Sequence, residues 1–135
     1  MVLITPVNEH FRQLAAQGVT VEDICREPML LREKGSGSKK CINAYFQQMG
    51  VEESRLTITA RLNDQESIKN LVAGGLGVSI ISEKAAEDAR DAGRLLTFAL
   101  PGGGAQRRLY AACRRGAPVN RQTRQFLDFV IGFYQ

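Results

Sequence analysis

The sequence is poor in the residues from which metal centres and many enzymatic centres are built. It contains no tryptophan, one histidine, His10, and three cysteines that form no Cys-x-x-Cys pair, Cys25, Cys41 and Cys113. A zinc site built on several imidazoles is therefore excluded, and an odd number of widely spaced cysteines does not indicate a disulfide framework. We expect no metal ion and no cofactor. The cysteines are interpreted as small hydrophobic residues of the core.

Long hydrophobic runs are also missing. No stretch approaches the roughly 20 consecutive apolar residues of a membrane-spanning helix, and residues 1–4 are too short for the core of a signal peptide. The sequence therefore predicts a cytoplasmic protein without membrane association. With 135 residues, of which 44% are hydrophobic and 24% charged, the chain is long enough for one compact domain with a real core.

The formal net charge of +4 is unevenly distributed along the chain. Residues 1–106 carry 12 basic and 13 acidic side chains, whereas residues 107–135 carry 6 and 1. A phosphate-binding patch is one interpretation of this basic tail. Basic charge alone is a weak signal for nucleic-acid binding, so we favour a solvated surface. The arginines concerned are Arg107, Arg108, Arg114, Arg115, Arg121 and Arg124.

Hydrophobic runs bounded by turn residues alternate with segments of helical period. This order predicts an α/β fold with a mainly parallel, five-stranded sheet flanked by helices. The expected strands are residues 2–4, 29–32, 56–62, 78–81 and 95–100, and a further strand is expected at 108–113. The expected helices are residues 10–17, 21–24, 83–92 and 120–134, one that Ser38 caps and Gly50 ends, and one that begins after Asn63 or Asp64.

The last predicted helix has an apolar stripe that consists mostly of aromatic residues. Phe126, Phe129, Val130 and Phe133 recur at helical spacing, and a stripe of this width needs a partner surface. Such a face is also what an interaction module would use to form dimers or to bind another protein.

The loop Gly35, Ser36, Gly37 and Ser38 is the best candidate for a binding site. It follows a predicted strand and opens a predicted helix, with basic residues on both sides. A helix N-terminus offers unpaired N–H groups and the positive end of a dipole, which favour a carboxylate, sulfate or phosphate. The spacing is not that of a Walker loop, and the third glycine of a dinucleotide fingerprint is absent. A serine-capped helix after an ordinary glycine loop explains the same residues equally well.

A second helix start, at Asn63, Asp64 and Gln65, follows another predicted strand. Open α/β sheets bind ligands at the carboxyl ends of their strands, so the two helix starts could converge on one ligand, although each alone is more often a plain cap.

Catalysis by Ser36 or Ser38 would need a general base. His10 is the only histidine, and no nucleophile elbow is present, so we predict no catalytic residue and no enzyme.

Two segments carry a resemblance to a known family. Residues 28–37, Pro-Met-Leu-Leu-Arg-Glu-Lys-Gly-Ser-Gly, and the glycine-rich residues 73–78, Ala-Gly-Gly-Leu-Gly-Val, lie in the same succession of elements as in the effector domain of LysR-type transcriptional regulators. The glycine-rich piece is the more specific. Residues 5–11 also resemble that family's "proline, spacer, His-Pro-Leu" segment, with Phe11 in place of the proline. The likeness covers nearly the whole chain.

The resemblance implies one lobe of a two-lobed, type II periplasmic-binding-protein-like domain. Residues 1–105 would form the second lobe, and residues 106–135 would be a strand and helix that return to the first lobe. The DNA-binding domain and most of the first lobe would be absent, so that DNA is contacted only through a part that this chain lacks. The surface that would face the first lobe is then exposed, so we expect the chain to form a homo-oligomer such as a dimer.

The implied activity is the sensing of a small metabolite between the two lobes, and the chemistry of the helix N-termini favours an anionic one. By resemblance the effector would contact Gly35, Ser36, Gly37, Ser38, Asn63, Asp64, Gln65, Gly74, Gly75 and Leu76. Two alternatives remain. One is a solute-binding protein of the same fold, which the lack of a secretion signal disfavours. The other is a stand-alone interaction module.

Overall fold

A computed structural model of the chain describes residues 1–106, 108, 110–112, 114, 116 and 119–134. Within these residues, strands and helices alternate as predicted. A short 3-10 turn, Glu53–Arg55, precedes the third strand. The elements are β1 (Val2–Thr5), α1 (Glu9–Gln17), α2 (Val21–Arg26), β2 (Pro28–Arg32), α3 (Gly37–Gln48), β3 (Thr57–Leu62), α4 (Gln65–Ala73), β4 (Ser79–Ile81), α5 (Glu83–Asp91), β5 (Leu96–Ala99) and α6 (Arg121–Tyr134).

The five strands lie in the order β3, β2, β4, β1, β5. β2 pairs with β3 in parallel, and β1 pairs with β4 and β5 in antiparallel. The two groups meet at a parallel bridge between Met29 and Val78. There the amide of Leu30 donates to the carbonyl of Val78, and the amide of Val78 to the carbonyl of Pro28, both at 2.8 Å. β2, β3, β4 and β5 therefore run in one direction.

The expectation of a mainly parallel α/β arrangement is thus confirmed for four strands, with two corrections. β1 runs against its neighbours, and the strands form two ladders joined by one bridge instead of a single continuous sheet. Hydrophobic periodicity identifies a strand but does not encode its direction. Direction is set by partners far away in the chain, since Leu3 lies opposite both Ile80 and Phe98.

Side chains that alternate along the strands form two separate clusters of the core. Leu3, Met29 and Leu31 contact α1, α2 and α3 on one face, whereas Ile4 and Leu30 contact α4 and α5 on the other. This is the period-two alternation of a strand that is covered on both faces. The predicted core role of Cys25 is confirmed, because its side chain is buried in the first cluster. Burial raises the pKa of this thiol, which makes it a poor nucleophile.

Helix starts follow the predicted capping chemistry, with one error of register. The capping box of α2 is confirmed, since Thr20 accepts from the amide of Asp23 and Asp23 accepts from that of Thr20. Asp64, and not Asn63, caps α4. The prediction that Ser38 caps α3 is wrong, because Ser36 Oγ accepts from the amide of Lys39 at 3.1 Å. Gly35, at φ 96°, turns the chain two residues earlier than expected.

The aromatic stripe of α6 is largely exposed. Phe126, Phe129 and Phe133 keep 64%, 69% and 56% of their surface accessible, whereas Val130 is half-buried. Lys84 Nζ lies 4.1 Å from the ring centroid of Phe133 and donates to its carbonyl at 2.9 Å. The prediction of a helix with a mostly aromatic stripe is therefore confirmed, and its three phenylalanines are exposed although the ring of Phe133 contacts Lys84.

The further strand expected at residues 108–113 is not found among its described residues. Arg108, Tyr110, Ala111 and Ala112 belong to no strand. Leu109 and Cys113 lie outside the described residues. In the part of the chain that the structure describes, no helix is long and apolar enough to cross a membrane.

Candidate functional site

Two of the predicted site segments lie next to each other at one edge of the sheet. Arg32 and Leu62, the last residues of β2 and β3, are paired in the parallel ladder. The amide of Glu33 continues the ladder by donating to the carbonyl of Leu62 at 3.0 Å. α3 and α4 begin only a few residues later. We call residues 32–38 and 62–65 the carboxyl edge.

Exposure differs among the predicted residues at the carboxyl edge. Gly35, Gly37, Asn63 and Asp64 are exposed, whereas Ser36 and Gln65 are half-buried. Ser38 is buried inside the first turn of α3. A ligand at this edge would therefore meet the glycines and Ser36 before it met Ser38.

The ends of β4 and β5 reach the same edge, which the sequence did not indicate. Val2, near the start of β1, is paired with both Ile81 and Ala99. The terminal ammonium of Met1 donates to the carbonyl of Ala105 at 2.9 Å. The segments that lead into β1 and out of β5 are thus adjacent at the carboxyl edge. Only the antiparallel direction of β1 places them there.

Gly74, Gly75 and Leu76 lie at the opposite edge of the sheet. They precede β4, and the amide of Val78 donates to the carbonyl of Pro28, the first residue of β2. Ser36, in the other predicted site segment, comes after Arg32, the last residue of β2. At about 3.3 Å per residue, the length of β2 separates the two edges by about 13 Å. The structure therefore does not bring the glycine-rich turn together with the other predicted residues.

The N-terminus of α4 is already neutralised by a carboxylate of its own chain. Asp64 Oδ1 accepts from the amide of Ser67 at 2.7 Å, and hydrogen bonds from the Ser67 side chain and amide hold the pKa of Asp64 below its ordinary value. A second anion at this position would be repelled by Asp64. The N-terminus of α3, by contrast, has the neutral cap Ser36 and no acidic residue in its first turn. Of the two helix N-termini, that of α3 is therefore the one that can accept an anion.

Lys39, in the first turn of α3, does not add a usable charge to the site. Its Nζ is buried and donates to Asn43 Oδ1 at 2.8 Å and to Glu53 Oε2 at 2.9 Å. Glu53 also forms an ion pair with Arg61 of β3. The hydrogen bond from Lys39 is the main cause of the lowered pKa of Glu53. This cluster ties α3 to β3 and gives the edge a rigid support.

Arg32 is the residue at this edge that sequence reasoning missed. It is the last residue of a strand whose three central residues are all buried. Its Nε is buried and has no hydrogen-bond partner. The charge of Arg32 contributes to the lowered pKa of Asp64. A single charged residue that ends an apolar strand was the available signal in the sequence.

A groove of about 570 Å³ runs along the first turns of α3, beside the chain that leaves β5. Its lining includes Gly37, Lys40, Cys41, Gln106 and Arg108. Cys41 Sγ donates to the carbonyl of Gln106 at 3.4 Å across one end of the groove. Among the described residues, no cluster of three or more histidine, cysteine, aspartate or glutamate side chains could hold a metal ion.

The stability of the fold is expected to fall in acid. In the folded chain the pKa values of Asp23, Glu53 and Asp88 lie below their ordinary values, chiefly because of hydrogen bonds from Thr20, Lys39 and Lys69. A carboxylate whose pKa is lower in the folded than in the unfolded chain stabilises the fold at pH values above its unfolded pKa, about 4. This stabilisation is lost as the pH falls through the pKa of the folded chain. Urea unfolding from pH 7 to pH 3 should show this decline. Glu53→Gln should make it shallower, and an unchanged slope would contradict the role of Glu53.

The sequence matches the family described as "LysR substrate binding domain" over residues 1–134. It is 31% identical over 116 residues to the uncharacterized HTH-type transcriptional regulator YeiE of Escherichia coli (strain K12), covering 86% of this chain and 39% of YeiE. It is 29% identical over 103 residues to the RuBisCO operon transcriptional regulator of Acidithiobacillus ferrooxidans, covering 76% of this chain and 32% of the regulator. The chain thus spans about a third to two fifths of the length of these relatives.

Two solved structures share the fold. The effector binding domain of QuiR in complex with shikimate matches with a TM-score of 0.72 and 16% identity, covering 98% of this chain and 59% of that domain. The regulatory domain of CcmR from Synechocystis PCC6803 in complex with 2-PG matches with a TM-score of 0.74 and 21% identity, covering 98% of this chain and 61% of that domain. YeiE, the RuBisCO operon regulator and the HTH-type transcriptional activator CmpR of Synechocystis are transcriptional regulators. The chain belongs to the LysR substrate binding domain family.

Proposed function

We propose that this chain senses a small anionic effector as part of a LysR-type transcriptional regulator, and that the effector binds at the carboxyl edge. The observation that supports this position is the convergence of two parallel strands on one edge, where Arg32 is paired with Leu62 and α3 and α4 begin. In open α/β sheets this edge is where ligands bind. Family membership supports effector sensing as the function.

We also propose that residues 1–105 are the second lobe of a two-lobed domain, and that residues 106–135 return to the first lobe. Two observations support this division. The segments at Met1 and Ala105 are hydrogen-bonded to each other at the carboxyl edge. Two segments of one chain that cross between lobes would lie side by side in this way. The exposed face of α6, with Phe126, Phe129 and Phe133, would then pack against the first lobe. DNA binding would belong to a part of the regulator that lies outside this chain.

The electrostatics of the edge favour an oxyanion as part of the effector. The neutral cap of α3 leaves the positive end of its dipole uncompensated, which attracts carboxylate and phosphate groups. Shikimate, which the QuiR domain binds, is such a carboxylate. Because one lobe offers only half of a closed site, we expect this chain alone to bind its effector weakly, in the millimolar range.

Backbone amide NMR of this chain tests the location of the site. A panel of small carboxylates, together with inorganic phosphate, would be titrated at constant ionic strength. The expected result is a saturable shift of amides at Gly35, Ser36 and Gly37, and smaller shifts at Asn63 and Gln65. Gly74 and Gly75 serve as an internal control, because they lie at the opposite edge and should not move.

Three outcomes would contradict the proposal. They are shifts confined to the glycine-rich turn at Gly74 and Gly75, shifts confined to α6, or no saturable shift for any probe in the panel. Micromolar binding by this chain alone would leave the site in place but would contradict the half-site interpretation.

An interaction module remains the second candidate function, because the three phenylalanines of α6 are exposed. Phe129→Ser separates the two functions. An interaction module would lose its association with a partner, whereas effector binding at the carboxyl edge would be unchanged. Since Phe129 is exposed, the substitution should change the free energy of unfolding by no more than about 0.5 kcal/mol.

A further inference from the structure

The buried Nε of Arg32 is a charged donor group without an acceptor. Among the described residues it is the one buried side-chain nitrogen or oxygen that lacks a hydrogen-bond partner. Buried polar groups are nearly always hydrogen-bonded, so each exception needs an explanation. An unpaired guanidinium N–H is costly to bury, because the group has lost water without gaining a protein partner.

Arg32 lies at the carboxyl edge, on the face of the sheet that α4 and α5 cover. Leu30, two residues earlier, packs in the cluster beneath α4 and α5, so the alternation of β2 places Arg32 on that same face. Arg32 is the last residue of its strand and is paired with Leu62, the residue that precedes the segment in which Asp64 caps α4. The side chain therefore lies on the face that α4 covers, close enough for its charge to act on Asp64.

Asp64 carries a negative charge on which the charge of Arg32 acts, but its carboxylate already accepts a hydrogen bond within α4. Its carboxylate accepts from the amide of Ser67, and Arg32 acts on it through its charge, without a described ion pair between them. Arg32 thus retains hydrogen-bonding capacity that no described residue of the chain uses. A carboxylate or phosphate presents two oxygens in the geometry that a guanidinium binds best.

We infer that Arg32 recognises the oxyanion of the effector, with a carboxylate or a phosphate as the ligand class. The inference rests on the proposed function, because it concerns the same edge. Arg32 binds the oxyanion from the face of the sheet that α4 covers, where its positive charge offsets the repulsion by Asp64, while α3 covers the other face. Arg32 therefore determines specificity for charge, since a neutral analogue leaves its Nε unpaired.

The side-chain Nε–Hε resonance of Arg32 in this chain provides a direct test. Shikimate and inorganic phosphate would be the charged probes, and shikimate methyl ester would be the neutral control. We expect a saturable shift of this resonance with at least one charged probe and none with the ester. The probe that produces the shift distinguishes carboxylate from phosphate as the preferred group.

Two variants at Arg32 and one matched control complete the test. Arg32→Gln should weaken binding of the charged probe by about tenfold or more, because a hydrogen bond to a charged group is lost. Arg32→Lys should recover only part of that loss, because it keeps the charge without the planar fork. Arg94→Gln removes an exposed arginine that hydrogen-bonds Asn70 and should leave binding unchanged.

The outcomes separate this inference from the proposed function. Shifts of the Gly35 to Gly37 amides without a shift of the Arg32 resonance would overturn the inference and leave the effector site intact. An equal response to the ester would overturn it as well. If no probe moves any resonance at the carboxyl edge, the proposed function itself is contradicted. If Arg32→Gln fails to fold, the titration of the parent chain still decides.

Discussion

Gly77→Ala is expected to destabilise the folded chain by about 3 kcal/mol or more, a large part of the stability of an ordinary domain. A Cβ at this position would overlap the carbonyl oxygen of Pro28 and lie 3.0 Å from its carbonyl carbon. These are backbone atoms that cannot rotate away. The Pro28 carbonyl also accepts from the amide of Val78 at 2.8 Å. A movement that relieved the clash would therefore break the parallel bridge that joins β2 to the start of β4.

Gly93→Ala is the matched control for Gly77→Ala. Gly93 also has a positive φ, 68°, but a Cβ there meets no atom within 4 Å. Only the backbone strain of the left-handed conformation remains, which is about 1 kcal/mol. Urea unfolding of both variants measures the difference. Equal losses at the two glycines would show that backbone conformation, and not the contact with Pro28, decides the cost.

Leu30→Ala is expected to lower the free energy of unfolding by about 2–5 kcal/mol. Leu30 is 1% exposed and packs with Ile4, Ile68 and Val72 between the sheet and α4. Truncation removes apolar contact and leaves a cavity that helices on a fixed sheet cannot close. The backbone of Leu30 also helps to join β2 to β4, because its carbonyl accepts from Ser79 Oγ at 2.6 Å. That bond is independent of its side chain.

Leu76→Ala provides the comparison for Leu30→Ala. Leu76 is 53% exposed, so its truncation should change the free energy of unfolding by no more than about 0.5 kcal/mol. Denaturant titrations with equal slopes would show that both variants unfold from the same compact state. A loss at Leu76 as large as that at Leu30 would contradict the assignment of the core.

Within residues 1–106 the positions of the helices and strands could be predicted because their signals are local. Thr20 and Asp23 form their capping box within four residues, and Gly18 ends α1 where the sequence indicated. The error at α3 has a local origin too. Ser36 and Ser38 are both good caps, and the choice between them depends on where Gly35 turns the chain, which composition does not reveal.

The candidate site was only partly predictable. The sequence indicated that the starts of α3 and α4 could converge on one ligand, and the parallel pairing of Arg32 with Leu62 places them at the same edge. The expected contribution of Gly75 was inferred from a sequence likeness, and the structure places that turn at the opposite edge, beside Pro28. Arg32 was missed because nothing in the sequence shows whether a charged side chain finds a partner.

The sequence by itself determined the class of the fold, the capping box of α2, the positions of the five strands within residues 1–106 and the family, because these depend on periodicity and on residues a few positions apart. Only the tertiary structure decided the direction of β1, the edge at which Gly75 lies and the unpaired state of Arg32. Each of these depends on contacts between residues distant in the chain, such as Leu3 with Ile80 and Val78 with Pro28. Hydrogen bonds and steric exclusion determine these three features only when the sheet has formed.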